Sequence, residues 1–224
     1  MGLSAEIYNR FMKVDPATVG HHIGGGFMRP EMKPLNKNVK MVGPAYTVRM
    51  EGRDSAPLHY AFTKAPKGSV IVIDRCGDYT YAPIGEIVAL YAQCQEFAGI
   101  VIDGVVTDSR AIEKQDFPLF CTGVSVVTTA VLGISGKVDI PVCCSGAAVF
   151  PGDIVFGDAD GVIVLPRDGY EEALAKAELA IAKEEEIKRN YLEGKSSHIN
   201  IERLYEANLM SVINELKQFE EKRG

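Results

Sequence analysis

Apolar positions in this chain come in two kinds of run, and the two kinds alternate. Ser69–Asp74 (SVIVID) and Ala98–Ile102 are short and continuously apolar, the pattern of strands buried on both faces. Met41–Arg49 (MVGPAYTVR) alternates with the period of a strand. Pro118–Cys121, Ile154–Gly157 and Val162–Leu165 read as further strands, and residues 123–150 as β structure with loops. Between them the spacing becomes helical. Residues 4–20 hold a short helix ended by Asp15-Pro16; others are expected over 55–64, from Glu86 onward, near 109–115 and over 169–192. Asp168 and Glu171 have capping-box spacing at the start of the last of these. After the polar stretch GKSSH a second long helix is expected from about Asn200 to Glu221, with Leu204, Leu209, Val212, Ile213 and Leu216 among its apolar stripe. The organisation is therefore a mixed α/β domain over residues 1–194 and an amphipathic helical extension over 195–224.

Composition changes this picture little. With 224 residues, 46% hydrophobic and 24% charged, a core of normal size is within reach. The net charge of −6 and the lack of a basic run argue against a nucleic-acid partner. No apolar stretch approaches roughly 18 residues, so no membrane partner is expected, and the N-terminal residues lack a signal-peptide core. A cytoplasmic location is the default. The five cysteines include no CxxC pair, and the four histidines have no HxH or HExxH spacing, so neither a disulfide framework nor a zinc site is expected. The Gly/Pro-rich segment HHIGGGFMRPEMKPLN reads as a connecting loop, since neither GxxxxGK nor GxGxxG is present to cradle a phosphate.

The chemistry concentrates between Gly85 and Arg110, read as a helix opened by Glu86, a buried strand, and a sharp acidic turn. Asp103-Gly104 and Thr107-Asp108 follow that strand. If it lies beside its helix, Glu86, Asp103 and Asp108 meet, and one or two carboxylates with waters suit Mg²⁺. Read otherwise, the aspartates are turn formers. The first amides after Gly85, those of Ile87 and Val88, are free to hold a substrate carboxylate. Arg75, Arg110 and His59 are candidate cations or proton carriers. On the helix over 169–192, Tyr170, Ala173, Leu174, Ala177 and Ile181 mark the apolar face. At about 100° per residue, Glu184 falls on that face. It needs a metal, an Arg or a subunit boundary as partner, unless the helix emerges into solvent there.

The segments GPAYTVR (43–49), GE (85–86), AGIVIDGVVTD (98–108), PGDIVFGDADGVIVLPR (151–167) and AKEEEIKR (182–189) together resemble the RraA-like family, over about residues 15–195. That family includes the class II 4-hydroxy-4-methyl-2-oxoglutarate aldolases, which also decarboxylate oxaloacetate, and regulators of ribonuclease activity. The resemblance implies a layered α/β/β sandwich of the swivelling-domain-like type, assembled as a homotrimer or hexamer. It implies a Mg²⁺- or Mn²⁺-dependent lyase acting on small 2-oxo acids through a pyruvate enolate. By the same resemblance Asp108 would bind the metal, Glu86 would hold a metal-bound water, and the Ile87 and Val88 amides would take the pyruvate carboxylate. Glu184 would reach the site from an adjacent subunit, with Glu185 or Glu186 the next choices.

The family motif is an acid, 20 residues, then Arg-Asp; here Glu86 is followed at the same spacing by Thr107-Asp108. The missing Arg stabilises developing enolate charge, a kind of contact worth about 10²–10³ in rate at oxyanion sites. Either Arg110 or Arg75 reaches in, or the scaffold does something else. It then serves a different carboxylic-acid substrate, or acts as a non-catalytic regulator that binds a ribonuclease or other protein.

Overall fold

The computed structural model describes residues 2–193. The expected linker and terminal helix lie outside the described residues. The chain divides into two compact units, Met1–Ile181 and Ala182–Gly224. In order, the elements are α1 (Ala5–Phe11), α2 (Pro16–Gly20), β1 (Lys33–Pro34), β2 (Met41–Arg49), α3 (Ala56–Lys64), β3 (Val70–Asp74), α4 (Glu86–Cys94), β4 (Gly99–Val106), α5 (Ser109–Ile112) and β5 (Leu119–Val124). There follow β6 (Lys137–Val138), β7 (Val142–Cys144), β8 (Ala147–Val149), β9 (Ile154–Asp158), β10 (Gly161–Leu165) and α6 (Tyr170–Leu192).

Strands β2, β3, β4 and β5 pair in parallel, and α3, α4 and α5 are the crossovers that parallel pairing requires. The full order is β1-β5-β4-β3-β2-β9-β10, with antiparallel strands at both ends and β6 added to β2. The terminal strands β1 and β10 approach each other, so the sheet nearly closes. Residues Val70 to Ile73 and Ile100 to Ile102 are buried without interruption, because each strand is covered on both faces. Alternate side chains divide between two cores. Ile71, Ile73, Ile100 and Ile102 face Leu58, Phe62, Ala89 and Ala92 of α3 and α4. Val70, Val72 and Val101 face Val142, Cys144 and Val149 of the β7–β8 hairpin and Val155 and Val164 beyond it. This is the expected α/β/β layering. A third core joins Phe11 of α1 and Leu174 and Ala177 of α6 to Val42 and Phe156, and Arg10 pairs with Glu178 across it at 2.8 Å.

Three local expectations change. Pro16 starts a helix rather than ending one: it sits in the first turn of α2, where its missing N–H costs nothing. Asp103-Gly104 is not a turn but lies inside β4, at an irregularity between Ile102 and Val105. Gly104 is needed there because a Cβ would sit 2.6 Å from Cγ of the buried Arg75. Finally, the buried face of α6 ends at Ala177, with Ile181 half-buried. In the second unit every α6 residue from 182 to 189 is exposed, Glu184 included, and Glu185 pairs with Lys188 at 2.8 Å.

Candidate active site

Where β4 ends, the chain turns through Thr107 and Asp108 beside the start of α4. Thr107 N–H donates to the Ile84 carbonyl at 2.9 Å, which fixes the end of the strand against the helix entry. Asp108 adopts the left-handed conformation (φ 55°), a region that Asp tolerates better than most residues. The turn aims its carboxylate at the first turn of α4, where Oδ2 accepts the Glu86 backbone N–H at 3.0 Å. The Thr107 hydroxyl donates weakly to Oδ1 at 3.4 Å. Gly85 makes the approach possible: a Cβ there would lie 2.4 Å from Asp108 Oδ2 and 3.0 Å from Thr107 Cγ2. The glycine before Glu86 is thus a steric requirement of the carboxylate that docks on it.

Gly85, Ile87, Val88, Thr107 and Asp108 line one cleft of about 330 Å³, at the small end of the range for ligand sites. His59 and Ser55 of the α3 region line it too, with Thr128, Thr129, Ala130 and Val131. That last wall belongs to a loop, and a loop needs a reason to hold its shape. Asp54 supplies it. The residue is 1% exposed, and its carboxylate accepts five backbone N–H groups, those of Ala56, Leu132, Gly133, Ile134 and Ser135, at 2.7–3.2 Å. Burial alone would raise the Asp54 carboxyl, but the amides of Ala56, Leu132, Ile134 and Gly133 outweigh it and hold it well below the usual carboxylate range. Ser55 and Ala130 add backbone bonds between the same segments, Ser55 N–H to Ala130 O and Ala130 N–H to Arg53 O, both 2.9 Å. Asp54 and the 128–131 wall escaped the sequence reading. An Asp-Ser pair before a helix is a visible capping signal, but its distant acceptor role is not.

Other candidate residues lie elsewhere. Arg75 does not line the cleft: it is fully buried, and its Nη2 donates to Gly52 O at 2.6 Å and Asp78 Oδ2 at 2.9 Å. Arg110 is exposed on α5 and is not among the lining residues. Asp103 does not join Glu86 and Asp108; it accepts from Ser145 N–H at 2.7 Å and Tyr79 Oη at 3.2 Å, and pairs with Arg29. All five cysteines are free thiols. Burial pushes Cys121 up to about 11 and Cys144 well above its ordinary value, so neither is a ready nucleophile.

The donor set can be judged for a cation. Among the described residues no three His, Cys, Asp or Glu side chains converge as a ready cage. Asp108 is nonetheless a hard oxygen donor on the cleft that keeps lone pairs unused by its two hydrogen bonds, whereas Glu86 meets it through its backbone N–H, and its exposed side chain is not among the residues lining the cleft. One or two carboxylates with retained waters is how Mg²⁺ is commonly held, so the residues present fit it.

Comparison with known proteins places the fold in a family. A family model described as RraA-like, Aldolase/RraA, matches residues 17–164. A protein of Halalkalibacterium halodurans, provisionally named 4-hydroxy-4-methyl-2-oxoglutarate aldolase, is 40% identical over 158 residues, 70% of this chain and 75% of its own. The crystal structure of Streptomyces coelicolor RraAS2, described as an unusual member of the RNase ES inhibitor RraA protein family, superposes with a TM-score of 0.71 at 26% identity, over 84% of this chain and 97% of that one. An uncharacterized protein of Pseudomonas syringae pv. tomato shares the fold with a TM-score of 0.73 at 24% identity, over 90% and 93% of the two chains.

Proposed function

The chain belongs to the RraA-like family, and on that premise we propose that it is a divalent-metal-dependent lyase acting on small 2-oxo acids. The observation that carries this reading is the docking of the Asp108 carboxylate on the first turn of α4, with Gly85 kept bare to admit it. Asp108 would hold Mg²⁺ or Mn²⁺, and Glu86 would act on a water of that ion rather than as a ligand. When bound, the ion polarises the 2-oxo carbonyl and stabilises the negative charge that develops on its oxygen. The chain's own groups do the rest. The amides of Ile87 and Val88, in a helical turn that leaves its N–H groups without intrahelical acceptors, take the substrate carboxylate. Retro-aldol cleavage removes a proton from the C4 hydroxyl and returns one to C3; Glu86 with Glu184 would carry it, or His59, which lines the cleft. The kinship with the Halalkalibacterium protein supports the same reaction class.

Glu184 enters this proposal from an adjacent subunit. It is exposed on its own chain, as a side chain offered to a neighbour must be. Ile87, Val126 and Ile134 are 75%, 93% and 77% exposed. Apolar side chains left so bare fit a surface covered in a homotrimer or hexamer. Light scattering that returned a monomer at every concentration would remove the Glu184 role.

Pyruvate release is the test. The purified chain with Mg²⁺ or Mn²⁺ should release pyruvate from oxaloacetate or from 4-hydroxy-2-oxo acids above the metal-only background. No release from any of them sinks the lyase. Thr107 favours a second reading, since it offers no charge where an aldolase keeps its Arg. The chain would then bind a partner such as a ribonuclease, as the description of RraAS2 invites. Inhibition of a ribonuclease by a chain that releases no pyruvate would establish it.

A further inference from the structure

Among the described residues Arg75 is the largest fully buried side chain, and the lyase chemistry makes no use of it. Its Nη2 donates to the Gly52 carbonyl at 2.6 Å and to Asp78 Oδ2 at 2.9 Å, and lies 3.4 Å from the Tyr81 carbonyl. Its Nε and Nη1 have no hydrogen-bond partner. Burial pulls the guanidinium below its ordinary value, against the opposing charge of Asp78. A buried ion pair with unpaired N–H groups is a poor stabiliser: desolvation offsets the attraction, and an apolar side chain of like volume commonly does as well. The position of this arginine gives it a different use.

The acceptors of Arg75 stand on two segments, and the Thr128–Val131 wall of the cleft hangs between those two. On one side is Ala82, directly after Tyr81. Its N–H donates to Val127 O at 2.7 Å, and its carbonyl accepts from Thr129 N–H at 3.2 Å. On the other side is Arg53, directly after Gly52, whose carbonyl accepts from Ala130 N–H at 2.9 Å. Ala82, Thr129 and Ala130 all line the cleft. The stem of Arg75 lies against Gly104 of β4, the strand that delivers Thr107 and Asp108. Resting on the lyase reading above, we infer that Arg75 is a positioning residue for substrate binding. It fixes the separation of the Gly52 turn and the Asp78–Ala82 segment, and through them the place of the wall. The planar guanidinium suits this task, because its N–H groups point in fixed directions and one side chain can hold two acceptors apart. Arg75 never touches the substrate; it acts through the backbone of both segments. A small displacement of groups that orient a substrate is enough to weaken its use.

The test removes both charges at once, since deleting the cation alone would strand Asp78. Arg75→Met combined with Asp78→Asn keeps the volume and the Oδ1 acceptor for Thr80 N–H. Its Tm should stay within about 3 °C of the parent. Its KM for the 2-oxo acid that the parent cleaves should rise about tenfold, with kcat changed less than about twofold. Arg75→Lys keeps a cation beside Asp78 and should hold KM within about threefold of the parent. Hydrogen exchange reads the wall without turnover. The amides of Ala82, Thr129 and Ala130 should exchange about tenfold faster in the double variant, while those of β9 and β10 keep the parent rate. An unmoved KM, a lysine variant no better than the double variant, or exchange quickened evenly along the chain with a lowered Tm overturns the inference. An unchanged chain that releases no pyruvate overturns the lyase reading instead, and the exchange comparison then decides by itself whether the wall depends on Arg75.

Discussion

Asp54 lies behind one wall of the cleft, whereas Asp108 lines the cleft itself, and their carboxylates are used in opposite ways. Asp54 is buried and accepts five backbone N–H groups, so its lone pairs are filled by its own chain. Asp108 is exposed, accepts one backbone N–H and one weak hydroxyl, and stands on a left-handed residue. The first arrangement stabilises a loop and leaves nothing for a ligand. The second uses a conformationally costly turn to present a carboxylate with free lone pairs, a cost that persists only where the surroundings fix it. The same functional group is thus structural or available according to how much backbone converges on it.

This contrast can be broken most severely at Asp108. Asp108→Asn keeps the shape and tolerates the left-handed turn, so its Tm should stay within about 2 °C of the parent. Its kcat/KM for pyruvate release should fall about a thousandfold, if the carboxylate charge is what holds the ion. A large fall in Tm with little loss of rate would reverse the roles assigned to the two aspartates. Gly85→Ala tests the same site from its partner. The new Cβ pushes Asp108 from the helix entry, so Mg²⁺ affinity, measured by titration, should weaken about ten- to hundredfold, as for groups that orient a metal ligand.

At Asp54 the expected effects are smaller on rate and larger on stability. Asp54→Asn retains one acceptor oxygen and replaces the other with an amide that opposes either the Ile134 and Ser135 donors or the Ala56, Leu132 and Gly133 donors. Thermal unfolding should show Tm lowered by about 10 °C, with KM rising several-fold while kcat changes little, because a binding wall loosens and the chemistry does not. The sign with pH follows from the depressed folded-state carboxyl. Its contribution is complete above the unfolded value of about 3.9 and is lost as pH falls below it toward the folded one. Acid unfolding of the parent should therefore be steeper below about pH 4 than that of Asp54→Asn. Parallel curves would mean that the five amides do not favour the ionised form.

How much of this was legible follows from distance along the chain. The buried strands Val70–Asp74 and Ile100–Ile102, the start of α4 at Glu86 and the α/β/β class were readable, because each rests on a local run of apolar residues or on a short motif. That Asp108 meets the start of α4 was readable from the family spacing of Glu86 and Thr107-Asp108, but as two carboxylates; the contact is instead Asp108 on the Glu86 amide beside a bare Gly85. Asp103-Gly104 misled because Asp-Gly usually turns; here the glycine makes room for Arg75, a residue nearly thirty positions earlier. Glu184 fell on the apolar stripe by helical register, yet register does not say where burial stops, and it stops near Ile181. The four Asp54 contacts that hold the loop were not legible at all, because their donors lie 78 to 81 residues away; only the Ala56 contact is local.

That same separation has a meaning in time. A contact between Asp54 and Leu132 to Ser135 spans β3, α4, β4 and β5, so it closes only after those intervening strands have paired. Interactions that form late leave the folding rate almost untouched and govern the rate of escape from the folded state. In stopped-flow experiments Asp54→Asn should unfold about tenfold faster while refolding at nearly the parent rate; equal slowing of refolding would instead place the knot in the folding nucleus. The buried carboxylate then acts as a latch with a lifetime, setting how long the substrate wall endures once it has been built.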